Sequence, residues 1–215
     1  MRAIKLPAGG FTIIEAAIAL AVMAVVMAVG IPNMSNWLQA RKATAAGSFY
    51  KEGFQLARAQ AVVHNGASRL VLSQNATSGQ MDWRVDICFP TPAVPCNQGS
   101  GGWSTADAAA SGDPDQTHGF RSVSRSADAL PSTSAMQLTL TSDDTSSAAS
   151  EVYFTPLGWV DGTISPRVAR IDVAPPSAAT GAFRPLAVVL TLAGTASICD
   201  PNAALHDSRK CPPTP

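Results

Sequence analysis

Residues 9–32, GGFTIIEAAIALAVMAVVMAVGIP, constrain this chain more than any other stretch. They are almost wholly apolar, and from Ala16 to Ala40 no residue carries a charge. Written as a helix, residues 11–32 rise roughly 33 Å at about 1.5 Å per residue, enough to cross a hydrocarbon core of about 30 Å. Arg2 and Lys5 precede the run, which predicts an N-terminus held in the cytoplasm; Arg41 and Lys42 follow it and blur that bias. Glu15 sits badly in this picture. It lies near the start of the run, and an ionised carboxylate in a bilayer costs roughly 2.5–3.5 kcal/mol on insertion scales.

A secretory signal peptide shares the basic start, but its apolar region runs to about 7–15 residues and ends at small side chains. Here the pattern continues without a break into a polar helix, SNWLQARKATAAGSFYKEGFQLARAQAVV, so the chain reads as a membrane helix that carries on out of the bilayer. The helix is expected to reach His64 or Asn65, with Asn65-Gly66 as its stop. Phe54, Leu56, Ala57, Ala61 and Val62 form the face expected to pack on a domain, with Lys51, Gln55 and Arg58 outside it. Pro32 removes one backbone hydrogen bond and is expected to bend or loosen the helix locally.

Beyond Gly66 the pattern turns to strands. Residues 69–74, 81–89, 135–142, 151–155, 168–174 and 186–193 are short runs rich in β-branched or aromatic side chains. Turn chemistry separates them: SGQ, PLGW, VDGT, APPSAATG. In MDWRVDICF the alternation places Met81, Trp83, Val85 and Ile87 on one face. Residues 99–125 are rich in Gly, Ser and Asp and read as a long loop, with room for one short strand near 120–124. The length of 215 residues suits one globular domain plus an appendage. A formal net charge of zero gives no broad field to attract nucleic acid.

Cys88, Cys96, Cys199 and Cys211 all lie downstream of the apolar run. In an anchored chain whose C-terminal part lies outside the cytoplasm, they meet an oxidising compartment. Several connectivities are open. The local pairs Cys88–Cys96 and Cys199–Cys211 are favoured, each closing a short loop and each worth roughly 2–3 kcal/mol on the chain-entropy model. Neither loop has CxxC spacing or a histidine at zinc-finger spacing, so no metal is expected.

Gly10-Phe11-Thr12-Ile13-Ile14-Glu15, after a short basic leader, resembles the processing motif of type IV pilins and pseudopilins. The resemblance implies that prepilin peptidase cuts between Gly10 and Phe11 and methylates the new amine of Phe11. Residues 1–10 are then a leader, 11–65 the N-terminal helix with its transmembrane segment at 11–34, and 66–215 a periplasmic β-rich domain with a long loop at 90–130. The implied fold class is α+β, a long helix packed on an antiparallel β domain. Pro32 falls where many such pilins carry a kinking proline. The resemblance also gives Glu15 a purpose: in a filament it neutralises the Phe11 amine of a neighbouring subunit. Two charges that are each costly alone become a pair, and the pair fixes axial register.

EGFQLARAQAVVHNGASRLVL and VYFTPLGWVDGT are further similar to passages of the FimT/GspH family, minor pilins and minor pseudopilins that prime or cap a filament. The likeness covers residues 9–72 and, through strand and turn features, 151–199; it does not extend to 90–130. It implies as partners the prepilin peptidase, other minor pilins, the major pilin and an inner-membrane assembly platform. It also implies a single-pass place in a bacterial inner membrane before incorporation into a pilus or pseudopilus. The long Gly/Ser loop and the two cysteine loops lean towards a pilus tip rather than type II secretion.

No catalytic constellation is expected. His64, His118 and His206 are scattered, and neither HExxH nor GxSxG occurs. Gly99-Ser100-Gly101-Gly102 opens no helix and reads as a flexible loop, while Asp113-Pro114-Asp115 and Asp143-Asp144 lack EF-hand spacing and read as solvated turns. Trp37, Trp83, Trp103 and Trp159 read as packing anchors, with Trp103 the candidate for exposure. Neither an enzyme nor a cofactor is implied. Some FimT-like pilins bind DNA through a Gly-Arg-x-Arg element after the last long strand. The matching stretch here is Gly194-Thr195-Ala196-Ser197, which lacks both arginines, and Arg209-Lys210 is the only nearby basic pair. Nucleic acid is therefore not an expected partner.

Overall fold

The structure, a computed structural model, describes residues 10, 12–115, 118–144 and 146–212, without the side chains of residues 29, 32 and 33. The expected leader, apart from Gly10, and Phe11 lie outside the described residues, as does the Pro32 side chain. One α-helix, α1 (Ile13–Val63, 51 residues), is followed by eight strands: β1 Ala67–Gln74, β2 Met81–Cys88, β3 Val123–Arg125, β4 Gln137–Ser142, β5 Glu151–Phe154, β6 Val168–Ala174, β7 Leu186–Leu190 and β8 Ala196–Cys199. Two compact units divide the chain between Gln39 and Ala40.

In the first unit α1 begins at a cap. Thr12 Oγ1 accepts the Glu15 N–H at 3.3 Å, and the Thr12 carbonyl accepts the Ala16 N–H at 3.1 Å. Thr12 is thus the N-cap and Glu15 the third helical residue, the T-x-x-E arrangement of a capping box. The helix then passes Pro32 without a break. Among the described residues no helix is long and apolar enough to cross a membrane.

In the second unit the rest of α1 lies on two four-stranded antiparallel sheets, ordered β3-β2-β1-β5 and β4-β6-β7-β8. Ala43, Ala46, Tyr50, Phe54, Ala57 and Ala61 are buried at spacings of three or four, one helical stripe. Val62, expected inside, is 51 % exposed, because it stands one step round the helix from that stripe. The side chains facing the stripe include Leu70, Leu72, Trp83, Val85, Val152, Phe154, Ile171 and Val188. Hydrogen bonds stitch helix to sheet. The Tyr50 hydroxyl donates to the Met81 carbonyl at 3.1 Å and accepts the Met81 N–H at 3.2 Å. Trp83 Nε1 donates to Phe49 O, and Ser68 Oγ to Ala57 O at 2.6 Å. Burial pushes the Tyr50 hydroxyl well above its ordinary pKa, so it keeps its donor.

The helix stops as its last residues dictate. Gly66 N–H reaches Ala61 O at 3.1 Å, Asn65 N–H reaches Val62 O at 3.3 Å, and Asn65 takes a left-handed φ of 48°. This is a Schellman motif, with Asn in the place that most often falls to Gly. The stretch 90–130, expected as a long loop, holds β3; its residues 90–122 contain no strand among those described, but they are not loose. Cys88 and Cys96 are bonded, with Cα atoms 6.0 Å apart. Ser104 N–H donates to Ile87 O, and the Ile87 N–H donates to Ser104 Oγ. Gly101 has φ 125° and lies against Trp103 Nε1 and Cys88 Sγ, leaving no room for a Cβ. The expected flexible Gly-Ser-Gly-Gly stretch is therefore a tightly packed turn.

Candidate functional site

Three surfaces bear on function, and the first is the start of α1. Ile13, Ile14, Ile18, Leu20, Val22, Met23, Val25, Val26 and Met27 are each more than half exposed. An apolar surface of that extent is not left to water in a stable protein and marks a membrane or partner contact. Gly10 is exposed, beside the expected cleavage point, and Glu15 is exposed on the first turn. The cap that Thr12 places on the Glu15 N–H is a function the motif alone did not reveal, although the spacing T-x-x-E was available to reading.

The second surface is where the C-terminal end of α1 meets two turns. Arg58, expected outside the packing face, donates from Nε to Gly158 O at 3.1 Å. Gly158 and Gly194 have φ of 76° and 75°, and a Cβ on Gly194 would overlap the Gly158 carbonyl. The two turns, Thr155 to Val160 and Thr191 to Thr195, therefore touch through glycine backbones, and Val160 N–H joins them by donating to Leu192 O at 2.9 Å. Around this junction Val63, Leu157, Trp159 and Leu192 are between 56 % and 73 % exposed. A groove of about 520 Å³ runs between α1 and Gly194. Trp159 is thus no packing anchor, and neither is Trp37 at 56 % exposed; of the four tryptophans, Trp83 is the one in the core.

The third is the outer face of the first sheet. Arg69 stands opposite Asp86 on one side and Tyr153 on the other. Asp86 is fully buried and receives Arg69 Nε and Arg84 Nε, each at 2.8 Å. Trp103 closes over this group, with the Arg69 guanidinium 4.4 Å from its ring centre and Tyr153 at 5.8 Å. Burial, and behind it the Glu151 carboxylate to which it donates, push the Tyr153 hydroxyl above its ordinary pKa. Each charge here has a partner, so the arrangement is a buried polar network under a lid, with no reactive group spare.

Cys199 and Cys211 are bonded, with Cα atoms 4.9 Å apart. Within their loop Arg209 grips Asp207 with two bonds, Nε to Oδ1 at 3.1 Å and Nη2 to Oδ2 at 2.7 Å. Lys210 Nζ donates to Ala203 O at 3.0 Å. Both basic side chains are thus engaged within their own loop. Gly194 to Ser197 leads into β8. Among the described residues no cluster of histidine, cysteine or carboxylate side chains is placed to hold a metal. His64 lies against Phe120 at 5.4 Å.

A helix that begins as an apolar rod and ends as the spine of an antiparallel β domain defines a pilin-like protein. Residues 51–194 match the family model described as type II transport protein GspH, so the chain belongs to the GspH family. Its role is that of a minor pilin or pseudopilin, a structural protein of the cell envelope that associates with others of its kind in a pilus or a secretion system. No curated protein matches the chain, and neither does any solved structure.

Proposed function

We propose that this protein is a minor pilin that primes or tips a type IV pilus. It is held in the inner membrane by residues 11–34, with the β domain in the periplasm. The observation that carries this reading is the apolar start of α1: nine large apolar side chains from Ile13 to Met27 are open in one unit, and only lipid or other apolar helices can cover them. Prepilin peptidase removes the leader after Gly10 and methylates Phe11. Glu15 then meets the amine of a neighbour's Phe11 as the subunits leave the membrane. A carboxylate and an amine in hydrocarbon each carry a large solvation penalty, and pairing relieves both in one register only. The junction around Gly158 and Gly194, with its exposed Trp159, is the β domain's own contact for other minor pilins, since exposed tryptophans anchor interfaces.

A second reading is favoured by the family's description: the same architecture serving as a minor pseudopilin of type II secretion. Deleting the protein in its source organism, with surface pili, twitching motility and secreted enzyme activity scored in parallel, separates the two. Loss of pili with normal secretion is the expected result. Loss of secretion with normal pili replaces the pilus reading by the secretion reading.

A further inference from the structure

At the N-terminal edge of the globular unit, two adjoining clefts share Arg184, Pro185, Asp200 and Arg209. The smaller, about 270 Å³, opens against α1 at Ala40 and Thr44 and has Leu186 and Ile198 in its wall. The larger, about 610 Å³, runs on under the second cysteine loop to Asn202 and Asp207. Together they form a trough that is apolar beside the helix and charged beyond it.

The charges are of both signs. Arg184 is 67 % exposed at its side chain, and its Nε makes a loose 3.5 Å contact with Asp200 Oδ2. A guanidinium has five donors in a planar fork, so that one contact leaves most of the fork available to a phosphate. Asp200 is anchored instead by the Asn202 N–H, at 2.9 Å on Oδ1. Its other oxygen and Asp207, held ionised by its hydrogen bonds from Arg209, lie in the same wall. Two arginines and two aspartates make the trough neutral overall. That disfavours a polyanion and suits a ligand that carries a phosphate and an ammonium together.

We propose that this trough holds the headgroup of phosphatidylethanolamine, with the phosphate on Arg184 and the ammonium on Asp200 and Asp207. The inference rests on the membrane-anchored reading above. It follows from the chain's connectivity: Ala40 opens the globular unit, so an anchor at 11–34 leaves only residues 35–39 between the membrane segment and a wall of the trough. The apolar wall beside Ala40 and Leu186 then receives the glycerol end of the lipid, and the charged wall its polar end. Choline presents no N–H to a carboxylate, so the two aspartates discriminate against phosphatidylcholine.

The test uses the full chain in nanodiscs of phosphatidylcholine alone, with added phosphatidylethanolamine, or with added phosphatidylglycerol. Hydrogen exchange is read at residues 182–186 and 200–207. With phosphatidylethanolamine, exchange there is expected to slow about fivefold relative to phosphatidylcholine, the worth of one charge-assisted N–H contact to the aspartates that choline cannot make. Arg184→Gln should lose the protection and Arg184→Lys keep most of it. Arg184 is exposed enough that the fold, checked by the exchange of β1 and β6, is untouched by either variant. Equal exchange in phosphatidylethanolamine and phosphatidylcholine discs overturns the proposal and leaves the anchor standing. Protection by phosphatidylglycerol alone also overturns it, as plain anion attraction. A chain that does not enter the discs at all overturns the anchor reading and this one with it.

Discussion

Glycine 194 shows how much a single backbone position can hold here. Its φ of 75° and its contact with the Gly158 carbonyl leave no space for a methyl group. Gly194→Ala should cost about 1–3 kcal/mol through left-handed strain and the displaced turn. Thermal unfolding of the variant would measure it, and an unchanged midpoint would show that the two turns are not coupled. Asp207 belongs to the same scale. Arg209 hydrogen bonds hold its carboxyl at about 2, below the ordinary 3.8. A depressed carboxylate favours the folded loop above the unfolded pKa and loses that advantage as the pH falls through the folded one. The second cysteine loop should therefore loosen between about pH 4 and pH 2, seen as shifts of its amide resonances. Asp207→Asn should abolish that transition. Residue-level reading found the Asn65-Gly66 stop but not Asp86, whose burial depends on Arg69 and Arg84 across two strands and on a lid from residues 97–103.

At the level of elements, α1 and six of the strands were legible because their chemistry is local: spacing for the helix, β-branched residues for the strands. β8 was not, because Ala-Ser-Ile-Cys has no alternation and its pairing with β7 is set by the turn at Gly194. Phe49 and Tyr50 were missed because the packing stripe begins at Ala43, in a stretch of alanines that reads as neutral. The lid over the first sheet escaped reading for a similar reason: a Gly/Ser-rich sequence looks loose until its disulfide and Trp103 are seen docked. Trp103→Ala should remove the ring from Arg69 and speed hydrogen exchange across residues 97–111, at a cost of about 1–2 kcal/mol. Exchange no faster than in the parent would show that the disulfide alone holds the lid. Cys88→Ser with Cys96→Ser should lower stability by about 2–3 kcal/mol on the chain-entropy model, read by denaturant unfolding.

For the whole molecule, the sequence made the plan visible, a helix with an apolar start feeding a small β domain, because one motif and one change of periodicity suffice to show it. The split into two sheets was not visible, since strand order is decided by long-range pairing. The charge arrangement at this scale predicts that the protein does not retard DNA in a gel at low salt; salt-sensitive retardation lost on mutating Arg209 and Lys210 would contradict it. The central claim is that Glu15 sets subunit register by its charge. Glutamine at the third helical position still suits a capping box, so Glu15→Gln keeps the helix start and removes the charge alone. The most direct measurement is therefore the amount of Glu15→Gln protein in sheared filaments, relative to wild type, with cleavage after Gly10 followed by mass. The account predicts normal cleavage and a filament content reduced at least about tenfold, the effect of roughly 1.4 kcal/mol of lost pairing. Normal incorporation of the variant would contradict it and leave Glu15 without a part in register.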